Sequence, residues 1–215
     1  MEFTLYNNSI IIRDLGLQHW QLVSSLMQNF TITRTIETLD EFWCVEHYPI
    51  FTLGPLGKEE DLIIPSQIPM IRTNRGGKIT YHGPGQQIIY LLVDLKRRKI
   101  GIRDLIWLIE RTVIDTLNYF SIKSHIIKKY PGIFVQNKKI CSFGLRITKS
   151  CSLHGFALNV NMNMRPFSYI YPCGNKTIHM TQIYDFKKKI NCKVIKLILI
   201  KKIVHFLNIN HVFYK

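Results

Sequence analysis

The sequence predicts an α+β fold in one domain, a mixed β-sheet flanked by helices. Three observations predict it. Gln87 to Leu95, QIIYLLVDL, is apolar on both faces, as a central strand is. From Asp104 to Phe120, Leu105, Ile109, Val113, Leu117 and Phe120 recur at three- and four-residue intervals, the stripe of an amphipathic helix. Pro131 to Ile147 reads as a hairpin, so antiparallel pairs accompany the succession of strand, helix and strand. A chain of 215 residues, 47% of them apolar, can bury one good core, and no linker-like stretch divides it. One domain over 1–215 is expected, with a basic tail over 185–215.

Taken in order, Ser9 to Arg13 is a short strand, and Asp14 is placed to cap the next segment. That segment, Leu15 to Phe30, is a helix with Trp20, Val23, Met27 and Phe30 facing the core. Glu41 to Phe51 alternates and is rich in aromatic residues, one strand ended by Pro49 and the glycines beyond it. Ile68 to Ile71 and Ile88 to Leu95 are buried strands on either side of a glycine-rich stretch. In the hairpin, Gly132 to Gln136 is one strand, Asn137-Lys138 the turn, and Lys139 to Ile147 the return. Leu153 to Met162 alternates loosely. The tail contains a helix with Ile190, Val194, Leu197 and Ile198 toward the core.

A formal charge of +15 invites a nucleic-acid reading, but the lysines gather in short groups such as Lys96-Arg97-Arg98-Lys99 and Lys187-Lys188-Lys189. No zinc-finger spacing, RNA-binding aromatic consensus or basic zipper accompanies them, so an acidic protein partner suits the charge better than nucleic acid. Cys44, Cys141, Cys151, Cys173 and Cys192 lack a CxxC and a regular spacing, which argues against a disulfide framework and against a bound metal. The N-terminus, MEFTLYNNSIIIRDLG, has no signal core, and lysines interrupt the only long apolar run, so no membrane span is expected. The expected setting is a reducing cytoplasm.

Function points to Arg75 to Gln87, RGGKITYHGPGQQ. Its glycines bring the main chain close to a bound group, and Arg75, Tyr81 and His82 stand where glycine clears space, as in the wall of a substrate pocket. Tyr171-Pro172-Cys173-Gly174 holds a cysteine in a tight turn, either as a packing group or as a presented nucleophile. Lys139, at a hairpin end, is an ordinary solvated lysine unless it finds a partner.

RGGKITYHGPGQ, KKICSFGLRI, SLHGFALNVNM and IYPCG, in this order and spacing, resemble the lipoyl(octanoyl) transferases of lipoate biosynthesis, from Ile10 to Thr181. The resemblance implies a fold shared with the catalytic modules of biotin and lipoate protein ligases. It implies transfer of an octanoyl group from acyl carrier protein to an enzyme cysteine, then to a lysine of a lipoyl domain. The acceptors implied are the lipoyl domains of 2-oxoacid dehydrogenase complexes and the glycine cleavage H protein, and no cofactor is implied. The acylated cysteine matches Cys173, and the lysine that tunes it matches Lys139. The substrate-binding segments match Arg75, Gly76, Gly77, Lys78, Ile79, Thr80, Tyr81 and His82, then Ser142, Phe143 and Gly144, then Gly155, Phe156 and Ala157. Asn163 stands where the family usually has an acidic residue.

The implied chemistry suits these residue types. A free thiol titrates near ~8.5, and a neighbouring ammonium raises its thiolate fraction at neutral pH. A lysine in a desolvated pocket also gives up a proton readily and acts as a base. The glycine-flanked main chain of Ser142–Gly144 and Gly155–Ala157 is expected to hold the thioester oxygen, and Tyr81, Phe143 and Leu145 to wall an apolar tunnel. Cys141 competes with Cys173, being two residues from Lys139 on one strand. The rivals are an ATP-dependent lipoate or biotin ligase and a basic nucleic-acid-binding module.

Overall fold

The computed structural model describes residues 8–215, and the reading of the first seven residues lies outside them. Twelve strands are named here β1 (Ser9–Gln18), β2 (Asp40–His47), β3 (Ile50–Leu53), β4 (Met70–Arg72), β5 (Ile79–His82), β6 (Gln86–Leu92), β7 (His125–Ile127), β8 (Tyr130–Val135), β9 (Lys138–Thr148), β10 (Cys151–Asn159), β11 (His179–Met180) and β12 (His211–Tyr214). The helices are α1 (Trp20–Thr33), α2 (Leu95–Arg98), α3 (Ile102–Tyr119) and α4 (Cys192–Phe206).

The main sheet runs in the order β12, β1, β2, β6, β10, β9, β8, β7, with β11 beside β9. It is mixed: β1 pairs in parallel with β2 and β12, while β6, β10, β9 and β8 pair antiparallel. Period-two alternation sorts its side chains into two layers. Ile89 and Leu91 of β6 face one core with Leu105, Ile109 and Val113 of α3 and Ile195 and Leu199 of α4. Ile88, Tyr90 and Leu92 face the other side, toward Val23 and Met27 of α1. A small sheet in the order β4, β3, β5 lies over a third cluster containing Phe51, Tyr81 and Phe167.

Several expectations need correction. Asp14 does not cap α1: β1 continues through a bulge between Asp14 and Gly16 to Gln18, and the Asp14 carboxylate pairs with Lys196. His19 occupies the cap position instead, without a side-chain bond. Glu41 to Phe51 is two strands, because the break at Pro49 lets β3 leave β2 for the small sheet. Of Ile68 to Ile71 only Met70 and Ile71 join a strand, the half-buried edge β4. The stretch from Arg75 to Gln87 crosses between sheets, with β5 in one and β6 in the other. The hairpin turn falls on Gln136-Asn137, with Gln136 at φ +53. Cys151 opens β10 and is buried. On α4 the buried residues are Ile195, Leu199, Ile200 and Ile203, while Val194 and Leu197 are 41% and 58% exposed.

Candidate active site

The start of β9 decides where a lysine points. Ile133 stands opposite Cys141 but Phe134 opposite Lys139, so β9 carries one extra residue, a bulge. The bulge breaks the alternation that would put Lys139 and Cys141 on one face. Ile140 and Cys141 both pack in the core against α3 and α4. Lys139 turns into a cavity, 2% exposed, with Nζ 3.0 Å from Sγ of Cys173. Gly132 clears its path: at φ +142, a Cβ there would stand 2.3 Å from Lys139 Cε and 2.3 Å from the Cys141 oxygen.

Cys173 meets that lysine from a one-turn 3₁₀ segment, Pro172–Gly174. Its own φ is +57, and the turn is closed by Gly174 N–H donating to the Tyr171 oxygen at 2.7 Å. The sulfur is half-buried, whereas Cys44, Cys141 and Cys151 are buried. Burial pushes the Cys44 and Cys192 thiols up to about 12 and raises that of Cys141 further. All five cysteines are free.

The cavity encloses about 380 Å³ between the α1 side of the main sheet and the loop before the small sheet. Its walls include Gly77 and Lys78 from the loop before β5, Ile79, Thr80 and His82 from β5 itself, and Ser142, Phe143, Gly144, Gly155, Phe156 and Ala157 from β9 and β10. Arg75 also lines it, but its guanidinium is already engaged. It donates to Thr52 Oγ1 at 2.8 Å, to the Thr52 oxygen at 2.5 Å, to Gly76 O at 3.0 Å and to Lys78 O at 2.6 Å. Burial lowers it to about 10, with no carboxylate beside it. Arg75 thus clamps the loop onto β3 rather than reaching for a ligand.

Other predicted residues fall elsewhere. Tyr81 alternates away from the cavity and packs between Phe51 and Phe167. Gly76 lies behind the wall, its N–H donating to the Leu145 oxygen, and the Leu145 side chain packs on the α3 side of the sheet. The main chain of Gly155–Ala157 is paired to β6 on one side and β9 on the other, so it forms a floor, not an oxyanion cradle. Asn163 is engaged locally, accepting from the Arg165 N–H at 3.0 Å.

Sequence reasoning missed Trp20, Tyr90 and His154 in the wall. Trp20 has the spacing of a core residue on α1, and that same spacing aims it at the cavity. His154 could have been suspected from the His-Gly pair it shares with His82. Its ring stacks on Trp20, and its Nε2 bonds Asn74 Oδ1 at 2.7 Å. His47 bonds the Tyr90 hydroxyl at 2.7 Å, and His82 bonds Gln86 Oε1 at 2.7 Å. Burial lowers these imidazoles to about 4 for His47 and about 3 for His82 and His154, so all three are neutral at pH 7.

A family model described as the lipoyl protein ligase A/B catalytic domain matches residues 16–204. The chain belongs to this family. Within it, an octanoyltransferase of Buchnera aphidicola from Acyrthosiphon pisum is 56% identical over 200 residues, 93% of this chain and 95% of that protein. An octanoyltransferase of Escherichia coli strain HS is 48% identical over 204 residues, 95% and 96% of the two chains. Among solved structures, lipoate-protein ligase A bound with ATP aligns with a TM-score of 0.75 at 13% identity, covering 97% of this chain and 87% of that one. Biotin protein ligase from Aquifex aeolicus, in complex with biotin and ATP, aligns at 0.58 with 15% identity, covering 93% and 70%. At those identities the ligases share the fold, and the expected α+β architecture of this lipoyl protein ligase family is met.

Proposed function

We propose that the chain is an octanoyltransferase of protein lipoylation that works through a thioester on Cys173. The observation that carries the reading is the 3.0 Å contact of Lys139 Nζ with Cys173 Sγ at an apolar-walled cavity. The octanoyltransferases at 48–56% identity support the acyl group and the acceptor chemistry. The donor is octanoyl-acyl carrier protein. The acceptors are lysines of lipoyl domains in 2-oxoacid dehydrogenase complexes and of the glycine cleavage H protein.

In the first half-reaction the Cys173 thiolate, held by the Lys139 ammonium, attacks the thioester carbonyl and the carrier thiol departs. In the second, Lys139, having released its proton to water once the sulfur is acylated and no longer a thiolate, takes the proton of the incoming lysine amine as that nitrogen attacks the enzyme thioester, and Cys173 leaves as the thiolate. The octanoyl tail lies along Ile88, Ala157 and Trp20, whose side chains exclude water from the thioester. Five free thiols suit a reducing cytoplasm. The ligase folds of the solved neighbours favour one rival, an ATP-dependent activation of free octanoate. The purified protein is expected to octanoylate a lipoyl domain from octanoyl-acyl carrier protein without ATP. Transfer that needs ATP and free octanoate would support the ligase instead.

A further inference from the structure

Four cationic side chains of Lys and Arg line the cavity: Arg75, Lys78, Lys129 and Lys139. Three are occupied. Arg75 bonds protein oxygens, Lys129 lies 5.6 Å from the Tyr130 ring centroid, and Lys139 holds the Cys173 sulfur. Among the described residues, Lys78 has no carboxylate, acceptor or ring for its ammonium. It is half-buried, where Lys139 is buried. Its position is fixed by the cysteine turn: a methyl group on Gly174 would stand 2.5 Å from Lys78 Nζ and 2.6 Å from its Cδ. An unpaired ammonium therefore rests against the residue that follows Cys173.

We infer that Lys78 is the acid of the first half-reaction, giving its proton to the donor thiolate as that leaves. This deepens the proposed function and rests on the Cys173 thioester. The need for such a group follows from where the electrons go. A bond forms between Cys173 Sγ and the acyl carbon, the carbon–sulfur bond of the donor breaks, and its electron pair goes to the donor sulfur. An alkyl thiolate is a poor leaving group at neutral pH unless it is protonated or held by a cation. Lys139 is engaged with the attacking sulfur and is buried against Gly132. The donor arm has to leave toward solvent, and of the two lysines it is the half-buried Lys78 that reaches solvent. Lys78 then recovers its proton from water at the mouth. The two lysines divide the cycle, Lys78 serving the departing donor and Lys139 the attacking sulfur and the incoming amine.

The test varies the leaving group. In single turnover, acylation of Cys173 by octanoyl-pantetheine should slow at least about tenfold in Lys78→Met and in Lys78→Gln. The slowing in the same variants should be several-fold smaller with octanoyl thionitrobenzoate, whose acidic thiol departs without a proton. Transfer from variant protein already acylated to a lipoyl domain should slow several-fold less than acylation by octanoyl-pantetheine, which general damage to the site would not allow. Equal slowing with both thioesters would assign Lys78 to packing or binding, and unaltered acylation by octanoyl-pantetheine would remove it from the chemistry; either overturns the inference. Absence of any adduct in the unaltered protein is a different failure, that of the Cys173 thioester itself.

Discussion

At the scale of single residues, the proposed reaction gives Lys139 two tasks that different substitutions separate. As an ammonium it stabilises the thiolate of Cys173, and as an amine it removes the proton of the acceptor lysine. Lys139→Met loses both: iodoacetamide should alkylate Cys173 more slowly at neutral pH, and transfer should fall by about a hundredfold or more. Lys139→Arg keeps a charge that does not release its proton, so alkylation should partly recover while transfer stays slow. Unchanged alkylation in the Met variant would dissolve the coupling. The candidate pair was legible in the sequence because Pro172 and Gly174 bracket Cys173 and because four motifs occur in order. What could not be read is how Lys139 reaches it. A hairpin lysine with ordinary alternation would share a face with Cys141, and only the bulge at Ile140, with the bare Gly132 opposite, turns it away.

At the scale of elements, one carboxylate joins three of them. Asp40, fully buried at the start of β2, accepts from Arg34 at the end of α1 at 2.8 Å, and from Arg97 and Arg98 of α2 at 2.5 Å each. It also accepts the Asp94 N–H at 2.8 Å. The arginine side chains are at most 7% exposed, so they have no water to turn to. Asp40→Asn would leave three buried cations around a neutral amide and should cost about 3 kcal/mol or more, read as a lower urea midpoint. An unchanged midpoint would show that the cluster is compensated elsewhere. The elements that the sequence misassigned have physical causes. α4, CKVIKLILIKKIVHF, is apolar around most of its circumference, so periodicity does not select a face; packing in the core it shares with α3 buries Ile195, Leu199 and Ile200 and leaves Leu197 outside. β12 is hidden for another reason: its parallel pairing with β1 joins opposite ends of the chain, which no local pattern records.

At the scale of the whole molecule, the polar groups buried around the cavity tie stability to pH. His47, His82 and His154 titrate at about 4, 3 and 3 in the folded protein against an ordinary 6.5. The unfolded chain therefore binds protons first as pH falls below 6.5, and the folded state loses stability down to pH 4 for His47 and pH 3 for the others. Each imidazole contributes a slope of about 1.4 kcal/mol per pH unit within its window, and none above it. Urea midpoints should be level above pH 7 and drop steeply below pH 6, with a shallower drop in His154→Gln; a level profile to pH 4 would contradict the burial of these rings. None of the three was legible as part of one polar cluster, since they come from β2, β5 and β10 and meet only when both sheets close. The same closure brings Lys139 to Cys173, and its direct test reads the intact protein. After incubation with octanoyl-acyl carrier protein, mass spectrometry should find one hydroxylamine-labile octanoyl group, mapped to Cys173, absent in Cys173→Ala and retained with near-normal turnover in Cys141→Ala. An adduct on Cys141, or full transfer by Cys173→Ala, would contradict the covalent mechanism.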